Sequence, residues 1–301
     1  MDFDLWYGDR PTMRIATWNV NSLKARLERV RGWLDRVQPD VLLLQETKLK
    51  DADAPREVIE DAGYELAHHG EGGWNGVAIA SRVGLDDVVT NFGEPLRAAV
   101  TEGAHDDEPF AEARMIAARC GGVRTVSLYA PNGRVVHSPF WRGKLVWFER
   151  LAKWVAEGEA GEPCVIGGDF NVAPADDDVW DPTACHGGTH VSPEERAAFH
   201  RVLDLGFVDA YRALHPERGR YSWWDYRAGA FHKNLGMRID HLLVAQSLAP
   251  KVVFAEIDRA ARKGTLPSDH APVVVDLGER GVAFDAGWAG ADERAAARRG
   301  K

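Results

Sequence analysis

The run Val165–Pro174 reads VIGGDFNVAP: a short apolar stretch, two glycines, then a carboxylate and a carboxamide two residues apart. In extended backbone, residues two apart project to the same side. Asp169 and Asn171 are therefore expected side by side where the strand ends. Gly167 and Gly168 read as clearance that leaves room for something to approach the backbone. Asp, Asn and Gly also build Asx turns at the ends of buried strands. On this stretch alone, turn and site both stand open.

Outward from it, one strand after another ends in the same chemistry. A buried strand over Met13–Trp18 runs into Asn19 and Asn21, and PDVLLLQET, residues 39–47, ends on Glu46. Gly76–Ser81 is a further strand, and Arg124–Tyr129 runs into the turn Pro131-Asn132-Gly133. Asp240 lies within MRIDHLLVA, and Ser268-Asp269-His270 precedes the last strand, in HAPVVVDL. Between them Leu23, Leu27, Val30, Leu34 and Val37 recur at helical spacing until Gln38-Pro39. Trp141, Leu145, Phe148, Leu151 and Val155 do the same over Phe140–Glu157. Ser192-Pro193 opens a helix over Glu194–Leu205 in a capping arrangement. Strands alternate with helices in both halves and no low-complexity linker divides them, so one α/β domain over 13–278 is expected. Residues 1–12 form an extension, and the Ala-, Gly- and charge-rich tail 279–301 is expected outside the core.

The chain has 301 residues, 45% of them apolar, enough for a sizeable core. No apolar run approaches a membrane span, and the acidic N-terminus lacks the basic-then-apolar order of a secretion signal. Three cysteines fit a reducing cytoplasm better than a disulfide framework. Cys185, His186 and His190 lack the second cysteine of a structural zinc site. The net charge of −9 hides basic stretches at Arg134–Lys153 and Arg212–Lys263 and acidic ones at 51–65 and 102–112. Strands packed side by side bring the polar strand ends to one rim. Oxygen-rich clusters of Asp, Glu and Asn suit a hard cation such as Mg2+, and without one the carboxylates would repel each other.

TWNVNSLKAR, PDVLLLQETK, GVAIASR, YAPNG, GGDFNVAP, SWWDYR, RIDHLL and LPSDHAPV follow one another through the chain. In this order they resemble the exonuclease III family of abasic endonucleases, within the endonuclease/exonuclease/phosphatase superfamily. The resemblance covers about residues 13–278. It implies a four-layer α/β sandwich, two packed, mainly antiparallel sheets with helices outside, and phosphodiester hydrolysis dependent on Mg2+, with Mn2+ as a substitute. Carried over by position, Asn19, Glu46, Asp169, Asn171 and Asp269 lie at the metal. Asp169 takes the proton of the attacking water, Asn171 orients water or phosphate, and Tyr129 hydrogen-bonds the phosphate. Asp240 orients His270, which contacts a non-bridging oxygen.

The loop YSWWDYRAGAFHKNLGMRIDH mixes aromatic and basic residues, which suits a flipped-out sugar and its flanking phosphates. Trp223, Trp224 and Arg227 in that loop, with Trp74 and Arg142 elsewhere, are the expected DNA contacts, and one of the paired tryptophans is expected in the core. Lys144 and Arg134 are further backbone-contact candidates, with solvated helix charge as the equal alternative. The reading is a cytoplasmic, monomeric DNA-repair hydrolase that nicks duplex DNA 5′ to abasic sites, with 3′→5′ exonuclease or 3′-phosphatase activity on 3′-blocked lesions at the same site. A phosphoesterase for a non-DNA substrate, or a silent DNA-binding relative, is the alternative.

Overall fold

Two strands can lie parallel only if a crossover separates them, and the chain makes such a crossover twice. Strand β1 (Met13–Asn19) leads through helix α1 (Leu23–Val37) to β2 (Val41–Gln45), which pairs parallel to it. The short helix α2 (Arg56–Glu60), β3 (Glu65–His69), β4 (Val77–Ser81), β5 (Asp86–Thr90) and β6 (Met115–Cys120) follow. Then β7 (Val123–Tyr129) leads through helix α3 (Pro139–Trp154) to β8 (Cys164–Asp169), again parallel. The chain continues through α4 (Pro182–Cys185), α5 (Pro193–Leu203), β9 (Phe207–Asp209), α6 (Ala210–Leu214) and α7 (Ala230–Lys233). Strands β10 (Asp240–Ala245), β11 (Val252–Ile257) and β12 (Val273–Leu277) complete it. The computed structural model describes residues 13–93, 112–159 and 161–291.

The strands form two six-stranded sheets, in the orders β11-β12-β1-β2-β4-β3 and β5-β6-β7-β8-β10-β9. Each sheet has one parallel pair at its centre and antiparallel pairs elsewhere. Alternation along the strands sorts the core into layers. Ile15, Leu43, Ile79, Ile116, Val165 and Leu242 pack between the sheets. Ala16, Trp18, Leu42 and Leu44 face the other way, onto Val30, Leu34 and Val37 of α1. Val126, Leu128 and Ile166 likewise meet Phe148 and Leu151 of α3 and Phe199 of α5. The result is the expected four-layer α/β sandwich. Among the described residues, no helix is long and apolar enough to cross a membrane.

Two expectations are corrected. The glycines of GGDFN are not clearance for a partner. A Cβ on Gly167 would lie 2.6 Å from both Leu43 Cδ1 of the opposite sheet and Leu242 Cδ2 of its own, and one on Gly168 would lie 1.9 Å from Leu128 O. At Gly168 the obstacle is backbone and excludes a side chain; at Gly167 two packed leucines would have to shift. Nor does the chain leave the core after Glu279. Trp288 is buried against Trp224 and donates its indole N–H to Ile257 O at 2.7 Å, while Gly281 N donates to Asp276 Oδ2. Phe284 packs under the Arg14 and Arg36 guanidinium groups. An indole removed from water outweighs the poor helix-forming composition around it. The N-terminal extension, positions 102–111 of the acidic stretch and the last ten residues lie outside the described residues.

Because the obstacle at Gly168 is backbone, Gly168→Ala should destabilise the protein by at least about 1–3 kcal/mol in denaturant unfolding. A variant as stable as the parent but weaker in DNA binding would restore the clearance reading.

Candidate active site

A parallel pair places the C-terminal ends of both its strands on the same edge. The two sheets therefore deliver Asn19 and Glu46 from β1 and β2, and Tyr129 and Asp169 from β7 and β8, to one rim. Asn19 is fully buried and its amide reaches both carboxylates: Nδ2 donates to Glu46 Oε1 at 2.9 Å and to Asp169 Oδ2 at 3.0 Å. Its Oδ1 accepts the Asn21 N–H. Glu46 follows β2 in the left-handed region, φ 51°, and its Oε2 pairs with Lys48 Nζ at 2.9 Å.

Asp169 resolves the question its sequence raised, because turn and site are the same residue. Its Oδ1 accepts the Asn171 N–H at 2.9 Å, closing an Asx turn, and its Oδ2 faces the rim. Asn171 takes up φ 52°, so it leaves the strand alternation that was expected to align it with Asp169. Its Nδ2 donates to Ala130 O at 3.0 Å, and its Oδ1 accepts from Asn132 Nδ2 at 3.2 Å.

The second sheet supplies Asp240, and the chain just before β12 of the first supplies the cation, His270. Asp240 lies across the strand pair from Asp169. Its Oδ2 accepts from Ser222 Oγ at 2.6 Å and bonds His270 Nδ1 at 2.8 Å, while its buried Oδ1 has no hydrogen-bond partner among the described residues. His270 Nε2 then lies 3.8 Å from Asp169 Oδ2. Burial alone would lower the His270 pKa, but Asp240 and Asp169 beside it raise it to about 10. Burial lifts Asp169 to about 7, opposed by the His270 charge and the Asn19 hydrogen bond. Tyr129 is pushed well above its usual value by burial and by the nearby Glu46 carboxylate, so its phenol stays a donor. The Arg114 guanidinium lies 4.9 Å over its ring.

Glu46, Asp169 and His270 offer ligand atoms within 4.8 Å of one another. Two carboxylates joined only through one amide match a hard divalent cation, and the oxygens of Glu46 and Asp169 suit it better than a protonated imidazole. Asp269 was expected among the ligands, but its oxygens are turned to Asn21 Nδ2, 2.9 Å, and Trp223 Nε1, 3.1 Å, and it lies outside that trio. Asn19 and Asn171 are at the rim; both protons of the Asn19 amide are used in the contacts above, and one of the two on Asn171 Nδ2 is used on Ala130 O.

The expected DNA contacts divide. Trp74 is 81% exposed, and Arg142 and Arg227 are exposed, the latter paired with Asp225 at 2.6 Å. Trp223 is half-buried with its indole on Asp269. Trp224 is the tryptophan of the pair expected in the core, and its place among the DNA contacts is corrected: it is fully buried, bonds Asn234 Oδ1 at 3.1 Å, and packs edge-on to Phe231. Lys144 is also corrected, being fully buried in an ion pair with Glu195. Sequence reasoning missed Ser222 and Lys48. A serine before two tryptophans and a lysine in a turn carry no pattern of their own.

A two-sheet sandwich with carboxylates and a carboxylate-held histidine at one rim is the architecture of a hydrolytic nuclease. Residues 16–270 match the Endonuclease/Exonuclease/phosphatase family. Exodeoxyribonuclease III of Haemophilus influenzae is 33% identical, over 87% of this chain and 98% of its own length. A 3′ phosphatase from Neisseria, solved with a product DNA hairpin, is 39% identical with TM-score 0.80, over 88% of this chain and 99% of its own. An AP endonuclease from Archaeoglobus fulgidus is 35% identical with TM-score 0.80, over 87% and 98%. The chain belongs to the endonuclease/exonuclease/phosphatase family, in its exonuclease III branch.

In the metal-free protein the His270 imidazole should titrate near pH 10 by NMR. The sign follows: stability from this charge is complete below the unfolded histidine value of about 6.5 and is lost as pH rises towards the folded one. Asp240→Asn should return the titration towards or below about 6.5, because burial then acts with less opposition. An unchanged titration would remove Asp240 as the cause.

Proposed function

We propose that the protein is a DNA-repair hydrolase that breaks the bond between a DNA 3′ oxygen and phosphorus, with Mg2+ as its ion and cleavage 5′ to abasic sites as its reaction. The convergence of Glu46 and Asp169 with the Asp240–His270 pair within one small rim carries this reading. In-line hydrolysis needs a water stripped of a proton, donors for the phosphate oxygens, and charge neutralisation. Asp169 Oδ2, the oxygen not used in the turn, is the base. Asp240 orients the His270 ring, whose Nε2–H donates to a non-bridging oxygen. The Tyr129 hydroxyl and the free N–H of the Asn171 carboxamide are further donors. Glu46 and Asp169 would hold the cation, which supplies neutralisation of the phosphate and of the leaving 3′ oxygen.

DNA as substrate is supported by the DNA-directed relatives and by the exposed Trp74, a free stacking surface. Nicking 5′ to an abasic site and removing a 3′-terminal phosphate break the same kind of bond. Removal of groups from a 3′ end is the second reading, supported by the 39% identity to the Neisseria protein, described both as a 3′ phosphatase and as a 3′-5′ exonuclease.

Two duplexes separate these readings, one with an internal abasic analogue and one with a 3′ phosphate at a nick, each incubated with Mg2+, Mn2+ or EDTA beside an undamaged control. Cleavage at the abasic analogue that stops in EDTA is expected. Activity confined to the 3′ phosphate would establish the second reading, and no hydrolysis of any DNA would overturn both. Asp169→Asn should lower kcat by about 100- to 10,000-fold without loss of folding; full activity would refute its role as base.

A further inference from the structure

Lys144 and Glu195 form an ion pair with no exposed side-chain surface, and the reaction outlined above uses neither. Replacing a buried pair of this kind by uncharged residues is often neutral or stabilising, so stability is a poor explanation for it. Its connections suggest another. Lys144 Nζ, from α3, donates to Asn171 O at 2.6 Å, to Glu195 Oε1 at 2.5 Å and to Asn132 O at 3.4 Å. Its three N–H bonds are thereby spent on the two loops that leave β7 and β8 and on one counter-charge.

Glu195 is fixed in turn. It is the third residue of α5 and closes a capping box with Ser192, its Oε2 accepting the Ser192 N–H at 3.2 Å. Its Oε1 also accepts from Thr189 Oγ1 at 3.0 Å and the His190 N–H at 3.1 Å. Thr189 Oγ1 also lies 3.0 Å from Asn132 O, the other acceptor its single proton can serve, and His190 Nδ1 lies 2.5 Å from Asn171 O. The held residues are the two whose carboxamides pair with each other, Asn132 Nδ2 donating to Asn171 Oδ1. The Asn171 N–H in turn holds Asp169 Oδ1.

We propose that Lys144 is a positioning residue: it clamps the loops after β7 and β8 so that the Asn132–Asn171 carboxamide pair, and through it Asp169, stands ready for the phosphate. The proposal rests on the hydrolase reading above. Lys144 touches no substrate; it acts through the Asn171 backbone. Residues on two helices and on the Thr189–Ser192 turn thus reach a site built at strand ends, which a strand-end reading alone would not include.

The test is K144M/E195Q in the full-length chain, since glutamine preserves the capping box while the clamp and both charges are lost. Thermal stability should equal or exceed that of the parent, KM for the DNA substrate should stay within about 2-fold, and kcat should fall about 10- to 100-fold. In the metal-free protein, hydrogen exchange of the Asn171 N–H should quicken by about 10-fold or more. Unchanged exchange, or unchanged kcat in a protein that does turn over DNA, overturns the proposal, as does a loss of stability with kcat per folded molecule intact. If the double variant does not fold, E195Q alone carries the test: faster Asn171 exchange supports the clamp and unchanged exchange refutes it. A parent protein inactive on every DNA substrate would defeat the hydrolase reading, and the exchange measurement would still decide whether Lys144 holds Asn171.

Discussion

One amide holds the site together. Asn19 Nδ2 spans from Glu46, on its own sheet, to Asp169, on the other, at 2.9 and 3.0 Å. That span exists only at one separation and register of the sheets. Gly167 sets part of that separation, because Leu43 from the first sheet occupies the space its side chain would need. Interiors pack too tightly for such a distance to drift. The rim is therefore a property of the sandwich as a whole, and the two parallel pairs explain why the functional groups arrive there from both sheets at once.

Around the bridge the charges are sorted by what surrounds them. Asp240 is balanced by His270 and Ser222, so it orients the ring. Despite burial, Arg238 and its neighbours hold Asp178 below its ordinary value and Asp209 well below the usual carboxylate range. Arg238 Nη1 also lies 2.9 Å from His241 Nδ1, and His241 Nε2 lies 2.9 Å from Val172 O. Together with Lys144 on Asn171 O, this fixes consecutive carbonyls of the loop that begins at Asp169. Buried charges in this protein grip backbone at the site, an arrangement that the net charge of −9 does not reveal.

Much of this was legible in the residues, for reasons that differ by element. The strands β1, β2, β4, β7, β10 and β12 announce themselves as apolar runs, and α1, α3 and α5 by their spacing and caps. Strand β5 does not, because DDVVT is an exposed edge segment, and β9 has only three residues. The rim could be anticipated because polar residues ended successive strands. Its finer assignments could not, since Asp269 and Asp169 look alike in sequence and differ only in where their oxygens turn. The burial of Trp224 and Trp288 is mutual, so the sequence could place one of the paired tryptophans in the core but not say which. Lys144 sits among basic residues on an amphipathic helix, and only contact with Glu195 distinguishes it from solvated charge.

The bridging role of Asn19 is tested most directly by titrating Mn2+ into the parent protein and into Asn19→Ala, with binding followed calorimetrically. If that amide sets the spacing of Glu46 and Asp169, affinity should fall by about 10- to 100-fold in a variant that remains folded. A folded variant that binds Mn2+ as tightly as the parent would contradict the account.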